Sequence, residues 1–197
     1  MVQTVTKSGL RIYIGLLLCS LIGITASGIL TIDKIRLLEN PNFSPTCNLS
    51  PIVSCISAIS SLQSEILHIP NSLFGLVAYS ILAFISVLLL MRTALPKRIW
   101  QLLLYMAVAG FLFVNYLILQ STLVLHVICP WCFTVWLTTP LILFLLSKAY
   151  DNTHTPQTDR SWIIKFRLNW GVFLLVLWYV ALFFLLLIEF RDYWLSL

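Results

Sequence analysis

The sequence predicts an all-α integral membrane protein with five transmembrane helices. Three observations carry that reading. Of the 197 residues, 60% are hydrophobic and only 10% are charged, whereas a soluble domain carries about a quarter charged residues. Mean hydropathy is +0.98. The apolar residues gather into five long runs, each near the roughly 20 residues that cross the hydrocarbon core. Such runs are helical, because unpaired backbone groups are too costly in lipid.

The runs cover about residues 12–32, 72–91, 99–119, 127–147 and 170–190. Short connections join most of them, so residues 1–197 read as one membrane domain with no room for a sizeable soluble part. The first run contains Ala26-Ser27-Gly28, small residues of the kind found at signal cleavage sites. It is longer than a signal-peptide core of about 7–15 residues and reads as a retained span. Cys19, in its middle, reads as a small buried hydrophobe.

Lys and Arg set the expected orientation. Lys7, Arg11, Arg92, Lys97, Arg98, Lys148, Arg160, Lys165 and Arg167 fall at one set of helix ends, and only Lys34, Arg36 and Arg191 at the other. Positive residues favour the cytoplasm, which places the N-terminus inside and the C-terminus outside. The pI near 9.1 then reflects cytoplasmic anchoring loops and requires no nucleic-acid partner.

The longest connection, residues 33–71, lies outside on this topology. Pro41, Pro45 and Pro51 punctuate its first half. Over residues 53–68, Val53, Ile56, Ile59, Leu62, Ile66 and Leu67 recur mostly at three- and four-residue steps, opposite several serines. That pattern predicts a short amphipathic helix on the membrane surface, capping the bundle. The polar stretch 148–169, with His154, reads as a solvated cytoplasmic loop.

Four cysteines share the outer side. Cys47 and Cys55 stand in the long connection, and Cys129-Pro130-Trp131-Cys132 opens the fourth run. Unpaired N–H groups and the dipole at a helix N-terminus stabilise a thiolate. Pro130 is tolerated in a first turn, and residues three apart meet on one helical face. Such a pair bridges and opens reversibly. With a second pair on the same oxidising side, thiol–disulfide exchange can pass oxidation between them. An apolar two-electron acceptor such as a quinone suits a pair at a helix mouth. Phe133 follows Cys132, which excludes a haem-attachment motif.

Two other readings stand beside this one. A four-cysteine zinc site is the first, although Cys-x7-Cys is no knuckle spacing and the compartment favours disulfides. Purely structural disulfides are the second. They suit Cys47–Cys55, but a bridge closing so small a loop as Cys129–Cys132 adds little stability.

Together these residues resemble the vitamin K epoxide reductase family in its bacterial form. The resemblance rests on Cys47-x7-Cys55, Ser61 six residues on, Asn71-Ser72-Leu73-Phe74-Gly75 opening a span, and Cys129-Pro130-Trp131-Cys132 opening another. It covers about residues 10–147. It implies a four-helix bundle around a quinone, with a peripheral fifth helix and an outer capping helix. It also implies that Cys132 faces the quinone while Cys129 exchanges with the loop pair, and that Asn71 hydrogen-bonds a quinone carbonyl. An amide N–H so aimed stabilises charge developing on that oxygen; Asn71 is also a plausible helix cap. Ser61 matches a family serine on the capping helix, and Phe74 and Trp136 are expected in the pocket wall.

The sequence departs from the family in two places. Trp136 stands where relatives that reduce vitamin K carry tyrosine. Many bacterial members also continue into a thioredoxin-like domain, whereas this chain ends at Leu197. The resemblance therefore implies a separate periplasmic thioredoxin-like partner, ubiquinone or menaquinone as acceptor, and residence in the bacterial inner membrane. A vitamin K epoxide reductase in the strict sense and a non-enzymatic assembly factor with structural disulfides are the alternative functions.

Overall fold

The computed structural model describes residues 7–40, 42–45, 47–48, 52–61, 64–66, 69–154 and 160–191. Among the described residues the regular structure is helical apart from one short hairpin. The helices are α1 (Lys7–Glu39), α2 (Cys55–Ser60), α3 (Asn71–Leu90), α4 (Lys97–Leu119), α5 (Pro130–His154) and α6 (Arg160–Glu189). Strands β1 (Glu65–Ile66) and β2 (Ile69–Pro70) pair antiparallel between α2 and α3. Among the described residues, five helices are long and apolar enough to cross a membrane: α1, α3, α4, α5 and α6. The five predicted spans all form.

Side-chain size decides how closely the helices meet. Lipid gives apolar faces little reason to associate, so close backbone approach and interhelical hydrogen bonds carry the packing. A Cβ on Gly23 of α1 would fall 2.6 Å from the Tyr79 ring of α3, and one on Gly75 of α3 would fall 2.8 Å from Ser27 Oγ. The Thr31 hydroxyl donates to Ser72 Oγ at 2.9 Å. Ser72 and Gly75 thus dock the head of α3 onto α1. Further down, the Tyr79 and Thr139 hydroxyls share a 2.9 Å hydrogen bond that joins α3 to α5. Cys19 is buried in the core formed where α1, α3 and α5 meet.

Several boundaries differ from the sequence reading. The first helix does not stop near residue 32 but runs to Glu39. It carries Asp33 and Lys34, whose charges suggest a loop, as buried residues. Among the described residues of the amphipathic stretch 53–68, the α-helix covers Cys55–Ser60, capped by the Ser54 hydroxyl accepting from Ser57 N–H, and Glu65–Ile66 belong to the hairpin. Leu62, Leu67 and His68, like Pro41 and Pro51, lie outside the described residues. The fifth α-helix begins only at Pro130, not 127, and the predicted cytoplasmic loop is helical through His154, which stacks on Tyr150 at 4.7 Å.

A wide turn over Gln120–Val124 ends α4. Ser121 Oγ donates to Val127 O at 2.6 Å, and Val127 N–H returns to Ser121 O at 3.0 Å. His126 takes the left-handed conformation, φ 51°, uncommon for a residue with a side chain. This clasp brings the chain round so that residues 127–129 approach α2 before α5 begins.

Candidate functional site

Three of the four predicted cysteines meet at one point. Cys47 and Cys55 form a disulfide. Cys129, a free thiol with 0% exposure, has its sulfur 3.4 Å from Cys55 Sγ. Two elements set that distance. Cys55 is the first residue of α2, and Ile128 N–H donates to Ile52 O at 2.7 Å, tying the mouth of α5 to the segment ahead of α2. Leu30 of α1 and Ile59 of α2 pack around the three sulfurs, with Trp131 and Cys132 against them.

Lys34 holds the other end of α2. Its ammonium donates to Ile59 O at 2.6 Å and pairs with Glu65 on β1 at 2.7 Å. A cation is favoured at carbonyls ending a helix, and with 8% of its side chain exposed Lys34 acts at low effective dielectric. We expect Lys34→Met to loosen the cap by about 1.5–3 kcal/mol, the range for hydrogen bonds to charged groups. Amide exchange in α2 would then quicken roughly ten- to 150-fold, while exchange in α3 stays as in the parent. Equal protection of α2 in both chains contradicts this role.

Cys129 sits one residue ahead of α5, and its carbonyl accepts from Phe133 N–H at 2.8 Å. Its thiol is held below the ordinary cysteine range. The Cys132 thiol's hydrogen bond to it is the largest cause; burial pushes the other way, backbone N–H groups of Cys132 and Trp131 lower it further, and the Asp33 carboxylate opposes them. The charged form is the one stabilised, so reactivity of Cys129 rises with pH through a midpoint below that of a free thiol and then levels. In chains whose Cys47 and Cys55 are both alanine, so that Cys129 has no disulfide to enter, Cys132→Ala removes the main donor and moves the midpoint up; Cys132→Ser keeps a donor and moves it less. The pH dependence of Cys129 alkylation measures this, and an identical midpoint in all three chains would contradict it.

Cys132 is a half-buried free thiol. Its surroundings differ from those of Cys129. It packs with Phe133 against a buried cluster of Val114, Ile118, Trp136 and Leu182. Trp136, one helical turn on, is 1% exposed; it stands in the apolar wall beside Cys132. The other predicted pocket residues belong to α2 and α3. Phe74 is 47% exposed on α3. Asn71 opens α3 as its first residue, with Pro70 in the capping position. Ser61 ends α2, its hydroxyl donating to Ala58 O at 2.9 Å.

Asp33 and Lys34 were missed as site neighbours. Ile32 and Ile35 continue the apolar run past them, which was the available sign that the helix goes on. Leu182 of α6 was also missed, and nothing in its local sequence distinguishes it.

The arrangement suits thiol–disulfide exchange: a stabilised thiol at van der Waals contact with a disulfide sulfur, sheltered from water, beside a second thiol in an apolar wall. It does not suit a four-cysteine zinc site, because Cys47 and Cys55 are bonded to each other. Residues 14–147 match the family model described as the vitamin K epoxide reductase family. No individual curated protein matches the chain.

Proposed function

The chain belongs to the vitamin K epoxide reductase family, an oxidoreductase family with redox cysteines that generally uses a quinone acceptor, and on that premise we propose that it is a quinone-dependent thiol oxidase supporting disulfide formation. The single observation that carries this reading is the 3.4 Å between Cys55 and Cys129 sulfurs. Reacting atoms about 3–3.5 Å apart are in near-attack range.

The sulfur chemistry runs as follows. A thiolate of a reduced partner attacks Cys47, the less buried of the loop pair at 8% against 0%, and releases Cys55. The partner's second thiol closes its own disulfide and leaves Cys47 and Cys55 reduced. When Cys129 and Cys132 are bridged, Cys55 attacks Cys129 and expels Cys132; Cys47 then attacks Cys55 and expels Cys129. The loop disulfide is restored and the electron pair now rests on Cys129 and Cys132. That is the state of the structure, with the loop pair oxidised and the helix pair as thiols.

A quinone held beside Cys132 would supply an acceptor for the two electrons and two protons that Cys129 and Cys132 give up on forming their disulfide. The residues fit such a group: the Cys132 thiol lies against Trp136 and Phe133 in an apolar wall, and Trp136 offers an N–H where tyrosine would offer O–H. We assign Asn71, Ser61 and Phe74 to the same pocket by family analogy. The acceptor is ubiquinone or menaquinone and the donor a separate thioredoxin-like protein. The cysteine end faces the outside of a bacterial inner membrane, consistent with Arg11, Arg92, Lys97, Arg98 and Lys148 at the opposite helix ends.

Purified protein given a reduced thioredoxin-fold protein and each quinone tests the reading. The expected result is one partner disulfide formed per quinone reduced, with Cys129 and Cys132 both required. Quinone reduction that persists without either cysteine, or no quinone reduction at all, contradicts it.

A further inference from the structure

We propose that α6 forms one wall of the acceptor side of the site, with Leu182 limiting access to Cys132 from the membrane; this rests on Cys132 being the acceptor-facing thiol. The family match ends at residue 147, and α6 lies wholly beyond it. Its membrane segment is the least buried of the five, at 6%, so it stands at the edge of the bundle. Its orientation is nevertheless fixed by three polar links. Trp178 Nε1–H donates to Asn115 Oδ1 of α4 at 3.0 Å, and Asn115 Nδ2 donates back to Phe111 O at 2.7 Å. The Tyr179 hydroxyl donates to Leu137 O of α5 at 2.6 Å, beside the turn where Pro140 has no N–H to give. At the cysteine end, His126 Nδ1 lies 2.8 Å from Glu189.

Apolar contact alone sets no rotation for a helix in lipid, because acyl chains are as apolar as leucine; polar links do. Here they turn one face of α6 inward. Phe183 and Phe184 remain more than half exposed, while Leu182 is 6% exposed and buried with Val114, Ile118 and Trp136 in the cluster against which Cys132 packs. An apolar ring reaching that thiol from the α4–α5–α6 side has to pass the cluster that Leu182 completes. The side chain therefore selects for acceptor size.

The test compares Leu182→Ala and Leu182→Trp, with Phe183→Ala as a control on the lipid face. Two readouts are taken in vesicles: alkylation of Cys132 by a membrane-soluble maleimide, and KM and kcat for ubiquinone and menaquinone. Leu182→Trp should slow alkylation and raise KM about tenfold, the discrimination scale of an apolar pocket wall, and Leu182→Ala should speed alkylation. Asn115→Leu, which frees α6, should behave as Leu182→Ala, and Trp178→Phe serves if that chain fails to accumulate. Alkylation and KM unchanged in both Leu182 variants overturn the inference. If the parent reduces no quinone, the acceptor reading fails, and the alkylation rates alone still decide whether α6 guards Cys132.

Discussion

Cys129→Ala should stop turnover while leaving one round of partner oxidation intact. The Cys47–Cys55 disulfide needs no help from Cys129 to accept a partner thiolate, so each molecule oxidises one equivalent of partner and then stalls. Nothing within reach can return Cys55 to the oxidised state, because the sulfur at 3.4 Å is gone. Steady-state partner oxidation should fall roughly a thousandfold or more, as when a covalent nucleophile is deleted. The pattern of a full burst followed by no turnover separates this from misfolding, which removes both. Truncating a 0%-exposed cysteine leaves a small void, at a cost of about 1 kcal/mol, so the chain should still fold. Sustained turnover would mean that Cys132 reaches the loop pair by itself.

Cys132→Ala should also abolish turnover, but with a different arrested state. Cys129 keeps its neighbour Cys55 and loses its bridging partner. Its attack on Cys55 then yields a Cys55–Cys129 bond with Cys47 expelled as a thiol. No internal route leads on to oxidation of the helix pair. The expected signature is quinone reduction at background together with a Cys47 newly reactive toward alkylating reagents. In the parent, Cys47 is bonded to Cys55. A variant that stays unreactive at Cys47 yet reduces no quinone would show that the loop and helix pairs do not exchange.

Much of this was legible in the chain. Five apolar runs predict five spans because lipid leaves the backbone no other choice, and Cys129-Pro130-Trp131-Cys132 lies where proline and free N–H groups mark a helix start. The element Asn71-Ser72-Leu73-Phe74-Gly75 identified the family, but its packing role did not show in sequence: Gly75 admits Ser27, and Ser72 accepts from Thr31. Charge misled at the end of α1. Asp33 and Lys34 look like a helix exit, yet Lys34 finds Glu65 and Ile59 O thirty-one and twenty-five residues away, and a long-range partner leaves no local trace. The capping helix was overextended for a similar reason. Ile66 fits helical spacing, but its backbone pairs with Ile69 in the hairpin. Placing α6 required knowing that Trp178 meets Asn115, a pairing of single polar residues across sixty-three positions.

The central claim is that Cys55, not Cys47, exchanges with Cys129. Peptide mapping under non-reducing conditions tests it most directly, in two chains that each retain one loop cysteine and lack Cys132. With Cys47→Ala and Cys132→Ala combined, mild oxidation should link Cys55 to Cys129 nearly completely, since these sulfurs already touch. With Cys55→Ala and Cys132→Ala combined, Cys47 and Cys129 should remain largely free. A Cys47–Cys129 link forming as fast as, or faster than, the Cys55–Cys129 link would contradict the account.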